Sequence, residues 1–319
     1  MADHAVDNFD GDIFIYRGGR APQHITHVLI DKSVDEIEER AFSKCENLVQ
    51  VDTHDGIRRI RENAFRLCKS LRWINLKSAF QIDDYAFCHC KDLESVEFGD
   101  QLETIGFCAF SGTSLKHLNL ASIITIGEYA FNYCECLTDV ELSKRLERMG
   151  SHAFGHCPRL QRIAIPLKRD LFSSITSNGS QSNSQFYDCQ QLVTVDLVGG
   201  IHKTVASLHM DSWRTEMIAE INRINQVLPS TDAYGKTPEI RRWVESAADK
   251  MNHYKAEHYR YVKEGITLLE LALWKAKLGE KEGSPVEVQD SESVRKERRI
   301  MCGADIVIKN VLPFLQLLE

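Results

Sequence analysis

The chain has 319 residues, of which 43% are hydrophobic and 27% charged, and its formal net charge is −7. It contains no apolar run of the roughly 18 residues that a membrane helix requires, so we expect no membrane span. Its acidic, polar start lacks the pattern of a secretory signal, and the expected location is the cytoplasm or the nucleus.

Residues 1–24 are predicted to form an N-terminal tail and cap. Within them, Asp12 to Tyr16 could form a short strand, and Gly18-Gly19 a turn. Pro22 precedes the first partial repeat, whose predicted strand is Ile25 to Ile30.

One sequence unit recurs through the following residues. Its pattern is I-x-x-x-A-F-x-x-C-x-x-L-x-x-[VI]-x-L, and clear copies begin at Ile37, Ile60, Ile82, Ile126 and Met149. The phenylalanines recur at intervals of 21 to 23 residues. A repeat of this period indicates a solenoid, because one unit cannot bury its apolar face alone and buries it against its neighbours.

The second half of each unit alternates apolar and polar residues. Counted from its leucine, the third and fifth following positions are apolar, whereas the second and fourth are mostly polar. This period of two predicts a strand with one buried and one exposed face, and eight such strands are expected.

The repeats resemble the BspA-like, or Treponema-type, leucine-rich repeats. The A-F-x-x-C-x-x-L cores carry this resemblance, with I-G-E-Y-A-F from Ile126 to Phe131 as the full form, and it covers residues 25–198. It implies an α/β leucine-rich-repeat solenoid with about eight short parallel strands on the concave face and helical or irregular turns on the convex face. It also implies a binding surface as the usual function.

Six of the ten cysteines occupy the same position of the repeat: Cys45, Cys68, Cys90, Cys134, Cys157 and Cys189. Free cysteine behaves as a small buried hydrophobe, so we expect a ladder of reduced thiols in the core. Structural zinc needs paired C-x₂₋₄-C and H-x₃₋₅-H spacings, which the chain lacks. No metal or cofactor is therefore expected.

The repeat array is predicted to be interrupted once. Residues 173–185 are rich in serine and asparagine, which is typical of a flexible loop, and the repeat then resumes through Phe186 and Cys189. Beyond Leu197 the period is lost.

Residues 199–236 are predicted to form a capping helix and linker, and residues 237–319 a helical C-terminal region. Thr237-Pro238-Glu239 is expected to cap a long helix that ends near Gly279. Leu268 to Leu278 is apolar on nearly every side, which predicts burial. The helices cap the last repeat, form a homo-oligomer through residues 238–278, or bind a second protein. Leu268 to Lys275 and Cys302 to Ile308 resemble segments in the helical tails of eukaryotic proteins with these repeats, over about residues 238–315. This resemblance does not assign an activity to the tail.

The polar positions of the strands are expected to form a partner-binding concave face. Its candidate residues are His27, Asp52, Trp73, Asn75, Glu97, His117, Asn119, Asp139, Glu141, Arg162 and Asp196. Five acids with one tryptophan suit a protein partner that presents a basic or mixed-charge peptide. The alternative is an ordinary solvated face. Residues 1–200 carry 28 acidic and 21 basic residues, which argues against a nucleic-acid partner.

These patterns predict a non-catalytic protein-interaction scaffold. No nucleophile arrangement or phosphate-binding loop is present, and His89, His152 and His156 are expected to be convex-side surface residues. The alternative is a secreted or cell-surface, adhesin-like repeat protein.

Overall fold

The computed structural model of the protein describes residues 9–10, 13–172, 184–200 and 211–279, and side chains from residue 13 to residue 271 within those ranges. The chain divides into two compact units. The first comprises Met1–Ala206 and Arg214–Asp249, and the second comprises Ser207–Trp213 and Lys250–Glu319. Most of predicted loop 173–185, the start of the predicted capping helix and residues 280–319 lie outside the described residues.

The repeat array is a parallel-strand solenoid, as predicted. Among the described residues it has nine long strands: Ile13–Tyr16, His27–Ile30, Gln50–Asp52, Trp73–Leu76, Ser95–Phe98, His117–Asn119, Asp139–Glu141, Arg162–Ile165 and Thr194–Leu197. The eight predicted strands are confirmed. Ile13–Tyr16 adds a ninth, which pairs in parallel with His27–Ile30. Phe9–Asp10 pairs antiparallel with Ile13–Phe14.

A second, narrower parallel sheet runs along the turn side of the repeats. The described residues contain six two-residue strands there: Glu36–Ile37, Arg59–Ile60, Gln81–Ile82, Thr104–Ile105, Thr125–Ile126 and Arg148–Met149. The segments that follow them are hydrogen-bonded turns rather than helices. Of the two predicted alternatives for this side, irregular turns are therefore correct, because each segment is too short to nucleate a helix.

A stack of phenylalanine rings forms the centre of the core. From Phe42 through Phe154, neighbouring rings are 4.9 to 5.4 Å apart and lie within 10° of parallel. Tyr16 extends the stack at one end, 4.7 Å from Phe42, and Phe186 continues it at the other. The repeat therefore advances by about 5 Å per unit, the spacing of adjacent strands.

The cysteine ladder runs beside this stack and is buried, as predicted. Five of the six thiols donate a hydrogen bond to the carbonyl of the phenylalanine one repeat earlier: Cys68 to Phe42, Cys90 to Phe65, Cys134 to Phe110, Cys157 to Phe131 and Cys189 to Phe154, at 2.9 to 3.4 Å. The first, Cys45, donates to the Pro22 carbonyl at 3.5 Å. Burial raises the pKa of the Cys68 thiol well above its usual range. The ladder thiols are therefore hydrogen-bond donors of the core.

The turns hold residues in a left-handed backbone conformation on both sides of each stacked phenylalanine from Phe42 to Phe154. Around Phe65, for example, Asn63 has φ 57° and Leu67 has φ 65°. This conformation costs about 1–2 kcal/mol for an ordinary residue. It is maintained by main-chain bonds to the next turn, such as Phe65 N–H to Ala86 C=O at 2.7 Å.

Two glycines allow neighbouring turns to approach closely. A Cβ at Gly127 would lie 2.5 Å from the carbonyl carbon of Gly106, and a Cβ at Gly150 would lie 2.3 Å from the nitrogen of Glu128. Both contacts are with backbone and cannot relax by a side-chain rotation. This explains the glycine of the full-form repeat at Ile126 to Phe131.

The described part of the chain after the repeats contains two helices, α1, Asp211–Val227, and α2, Lys236–Gly279, separated by a short 3₁₀ turn at Leu228–Ser230. Helix α2 begins at Lys236, two residues before its predicted first residue. The Thr237 hydroxyl accepts a hydrogen bond from the Phe186 N–H at 2.9 Å and so binds the last repeat. The Lys236 ammonium, which is buried, donates to the carbonyls of Gln190 and Leu192, both at 2.7 Å.

The later part of α2 is more exposed than its sequence predicts. Leu268, Leu269 and Leu271 are 67%, 49% and 53% exposed, so the predicted burial is wrong for these three residues. A helix that is apolar on every side cannot bury all of its faces in one contact. None of the helices that the structure describes is long and apolar enough to cross a membrane.

Candidate binding surface

The outward side of the long strands is the surface predicted from the sequence, and we call it the strand face. It consists of Ile13, Ile15, His27, Leu29, Gln50, Asp52, Trp73, Asn75, Ser95, Glu97, His117, Asn119, Asp139, Glu141, Arg162, Ala164, Thr194 and Asp196. All eleven predicted site residues belong to it, and each is exposed or half-buried. The register aligns them in columns, so that Leu29 lies beside Asp52, and Asn75 beside Glu97.

Arg162 lies among three carboxylates of the strand face. Its guanidinium is 3.2 Å from Asp139, 3.3 Å from Glu141 and 3.8 Å from Asp196. These residues lie on three neighbouring strands, because Asp139 pairs with Arg162 and Ala164 with Asp196. One cation therefore serves three acids, which reduces the negative charge that this end of the face offers to a partner.

The same end of the strand face is partly enclosed. Ala164 is on the outward side of its strand and yet fully buried. The Gly199 N–H, which follows the last strand, donates to the Glu141 carboxylate at 3.3 Å. The turn Val198–Gly200 therefore folds back toward Glu141, two strands away. The open part of the strand face accordingly runs from Ile13 to Asn119.

The two acids in the open part differ in their partners. Glu97 forms an ion pair with Lys77 at 2.9 Å, and both side chains are well exposed. Asp52 accepts a hydrogen bond from the Gln50 side-chain amide at 2.8 Å, and the described residues place no lysine or arginine in an ion pair with it. Asp52 is therefore the less neutralised of the two.

Two apolar residues of the strand face were missing from the predicted site. Ile13 and Leu29 are 39% and 43% exposed, close to the 40% of Trp73. Ile13 pairs with His27, and Ile15 with Leu29, so these apolar side chains lie together at the N-terminal end of the face. For Ile13, the sequence signal is the apolar pattern of Asp12 to Tyr16, which predicts a strand but lies before the first repeat and was not aligned with it.

Both edges of the long-strand ladder are occupied. At one edge, Phe9–Asp10 pairs with Ile13–Phe14. At the other, the side chain of Asn225 in α1 bonds both the N–H and the C=O of Val195. A partner is therefore less able to add a strand to an edge, and the face is the remaining surface of the ladder.

The predicted surface histidines include two that are partly enclosed. The rings of His156 and Tyr133 stack at 4.4 Å and 1°, and those of His152 and Tyr129 at 4.9 Å and 7°. Burial and the neighbouring His156 lower the pKa of His152. His89 is exposed, as predicted. No cluster of three or more His, Cys, Asp or Glu among the described residues has a geometry that could hold a metal ion.

The family match to known proteins lies mainly in the repeat array. The sequence matches the family described as BspA type Leucine rich repeat region in six copies, over residues 21–123, 60–192 and 121–222. No curated protein sequence matches the chain.

Similar solved structures are leucine-rich repeat proteins. The leucine-rich repeat protein from Bacteroides ovatus ATCC 8483 is 24% identical to this chain, with a TM-score of 0.45. The match covers 56% of this chain and 48% of that protein. The T. pallidum leucine-rich repeat protein is 25% identical, with a TM-score of 0.38, over 58% and 73%. A leucine-rich cell surface protein from Faecalibacterium prausnitzii A2-165 is 19% identical, with a TM-score of 0.38, over 55% of each chain. The match thus spans about half the length of the Bacteroides protein.

Proposed function

This chain belongs to the BspA-type leucine-rich repeat family, and we propose that it is a non-catalytic scaffold that binds a protein partner on the open part of its strand face. Leucine-rich repeat proteins typically serve as protein-interaction scaffolds or surface proteins, and their fold is typically non-enzymatic. The partner presents a basic or mixed-charge peptide. The site of action is the cytoplasm or the nucleus.

One observation carries the proposal: Trp73 is 40% exposed in the middle of a polar sheet face. Large aromatic side chains with surrounding polar and charged groups are typical interface hot spots. Trp73 lies beside Ser95 in the register, with the apolar residues Ile13 and Leu29 toward one end of the face and Glu97 and His117 toward the other. This combination suits a peptide with both apolar and basic side chains.

Affinity capture with the full-length protein tests the proposal. We expect Trp73→Ala to lose a partner that the unaltered protein retains, because truncating a hot-spot aromatic typically costs 2 kcal/mol or more. Phe80→Ala is the matched control, since Phe80 is similarly exposed but lies outside the strand face. Retention of every partner by Trp73→Ala, or equal losses in both variants, contradicts the proposal.

A second role is favoured by the exposed leucines of α2. Leu268 and Leu271 lie three residues apart, on one side of the helix, and both are more than half exposed. We propose that the region 238–278 self-associates through them. Light scattering on full-length protein tests this role, with a lower mass expected for Leu268→Glu than for the unaltered chain. Equal masses for the two contradict self-association through this side of α2.

A further inference from the structure

We propose that Asp52 is the point at which the strand face binds a single lysine or arginine side chain of its partner. This inference rests on the proposed function, and it assigns a ligand chemistry to one residue. It departs from the simplest expectation for a face with five acids, in which a basic partner is held by all of them.

The distribution of charge distinguishes Asp52. Asp139, Glu141 and Asp196 share the Arg162 guanidinium, and the turn at Val198–Gly200 adds a main-chain donor to Glu141. Glu97 has Lys77. A new cation at any of these four acids must displace or approach an existing one. At Asp52 the one side-chain partner that the described residues provide is the neutral amide of Gln50.

The surroundings of Asp52 suit a long basic side chain. Leu29 lies directly beside it in the register. On the other side the Thr53 hydroxyl donates to the Asn75 carbonyl at 2.7 Å, which brings the Trp73 strand alongside. Trp73 is then one strand away and two residues along, roughly 8 Å between Cα atoms from strand spacings. Lysine and arginine bury their stems on apolar surface and place their cations over aromatic rings.

The apolar residues next to Asp52 define the neighbouring part of the ligand. Ile15 and Leu29 are paired, and Leu29 is paired with Asp52, so an apolar subsite begins one strand away from the carboxylate. Side chains two residues apart on an extended peptide point the same way and are about 7 Å apart. The recognised segment therefore carries an aliphatic residue two positions from its basic residue.

Fluorescence anisotropy with two labelled peptides tests the assignment on the full-length protein. One peptide is acetyl-Ala-Leu-Ala-Arg-Ala, and the other has neutral citrulline in place of arginine. We expect the arginyl peptide to bind at least about tenfold more tightly, as the loss of a charge-assisted hydrogen bond requires. Asp52→Asn is expected to abolish this difference, whereas Glu97→Gln leaves it within about twofold, since Glu97 already has a cation.

A charge reversal strengthens the test. Asp52→Lys is expected to bind the corresponding glutamyl peptide more tightly than the arginyl peptide, which loss of folding cannot imitate. Urea unfolding of Asp52→Asn checks that the repeat array is intact.

The outcomes separate this inference from the proposed function. Equal binding of the two peptides, no binding of the arginyl peptide, or a charge preference that depends on Glu97 instead of Asp52 overturns the inference. If a partner is then still lost in Trp73→Ala, the strand face remains the binding surface. If Trp73→Ala also retains every partner, both the inference about Asp52 and the proposed function are contradicted.

Discussion

The side chain of Asn225 takes the place of a neighbouring strand for Val195. Its Oδ1 accepts from the Val195 N–H at 2.7 Å, and its Nδ2 donates to the Val195 carbonyl at 3.1 Å. Val195 lies in the last long strand that the structure describes, at the end of its sheet. An unpaired edge strand is a template for aggregation, so one amide side chain in α1 satisfies main-chain groups that would otherwise face solvent or another chain.

Replacing this amide should weaken the end of the repeat array. We expect Asn225→Ala to lower the free energy of unfolding by about 1–3 kcal/mol, because two main-chain groups lose their partners. Urea unfolding measures the change. Asn222→Ala is the matched control, since Asn222 is exposed on the same helix. An Asn225→Ala variant no less stable than the control contradicts the capping role.

The ladder thiols should be unreactive in the folded protein. All six ladder thiols are fully buried, so a reagent cannot reach them in the folded protein and alkylation of the ladder is expected to be slow. At Cys68 and Cys157 burial also raises the pKa and disfavours the reactive thiolate. Half-buried Cys136 should react faster, and Cys136→Ser should remove that fast phase. Timed alkylation with mass spectrometry measures both.

The number of free thiols should distinguish the two predicted locations. In guanidinium chloride without reductant, thiol titration should detect nearly all ten cysteines if the protein is an intracellular scaffold, and only a few if it is a surface protein.

The Arg162 cluster should make stability dependent on salt. Removing the guanidinium in Arg162→Ala leaves Asp139, Glu141 and Asp196 repelling one another, and we expect a loss of about 1 kcal/mol that shrinks at high ionic strength. Urea unfolding at low and high sodium chloride measures the effect. Arg145→Ala, which removes a single exposed pair with Glu103, should change little. A salt-independent loss in Arg162→Ala points to packing in place of charge.

Mild acid should destabilise the fold through His152. Its folded pKa lies below the ordinary value of 6.5, because burial and His156 disfavour the charged form. The stabilisation is therefore complete above pH 6.5 and is lost as the pH falls below that value toward the folded pKa. The ring faces Tyr129 and Tyr187 and bonds the hydroxyls of Ser151 and Ser184.

Urea unfolding between pH 7.5 and about pH 5 measures this effect, since the carboxylates titrate at lower pH. His152→Gln should flatten the pH dependence, and His89→Gln, at an exposed position, should preserve it. The neighbouring pair His156–Asp188, 3.2 Å apart, remains in both variants. An unchanged slope in His152→Gln excludes His152 as the source.

Part of the candidate site followed directly from the sequence. Counting alternate positions from each repeat leucine predicts His27, Trp73 and Glu97 on the outward side of the strands, and in the structure they lie in the long strands at exposed or half-buried positions. The counting could not show which of those positions stay open. Ala164 has the same repeat position as Glu97, yet it is buried, and the chain after the last strand turns back toward Glu141 at this end of the face.

The sequence by itself determined the repeat, its period and the residues that fill the core. These follow from local periodicity, since the same apolar positions recur in every unit and can be buried only by stacking. Only the tertiary structure decided how the array ends and how its charges pair. Asn225 reaches Val195 across 30 residues, and Arg162 gathers three acids from the two strands beside its own, contacts that no periodic pattern specifies. Such contacts depend on where the folded chain brings unlike segments together. For the same reason, only the structure distinguishes Asp52, which forms no ion pair among the described residues, from the acids that do.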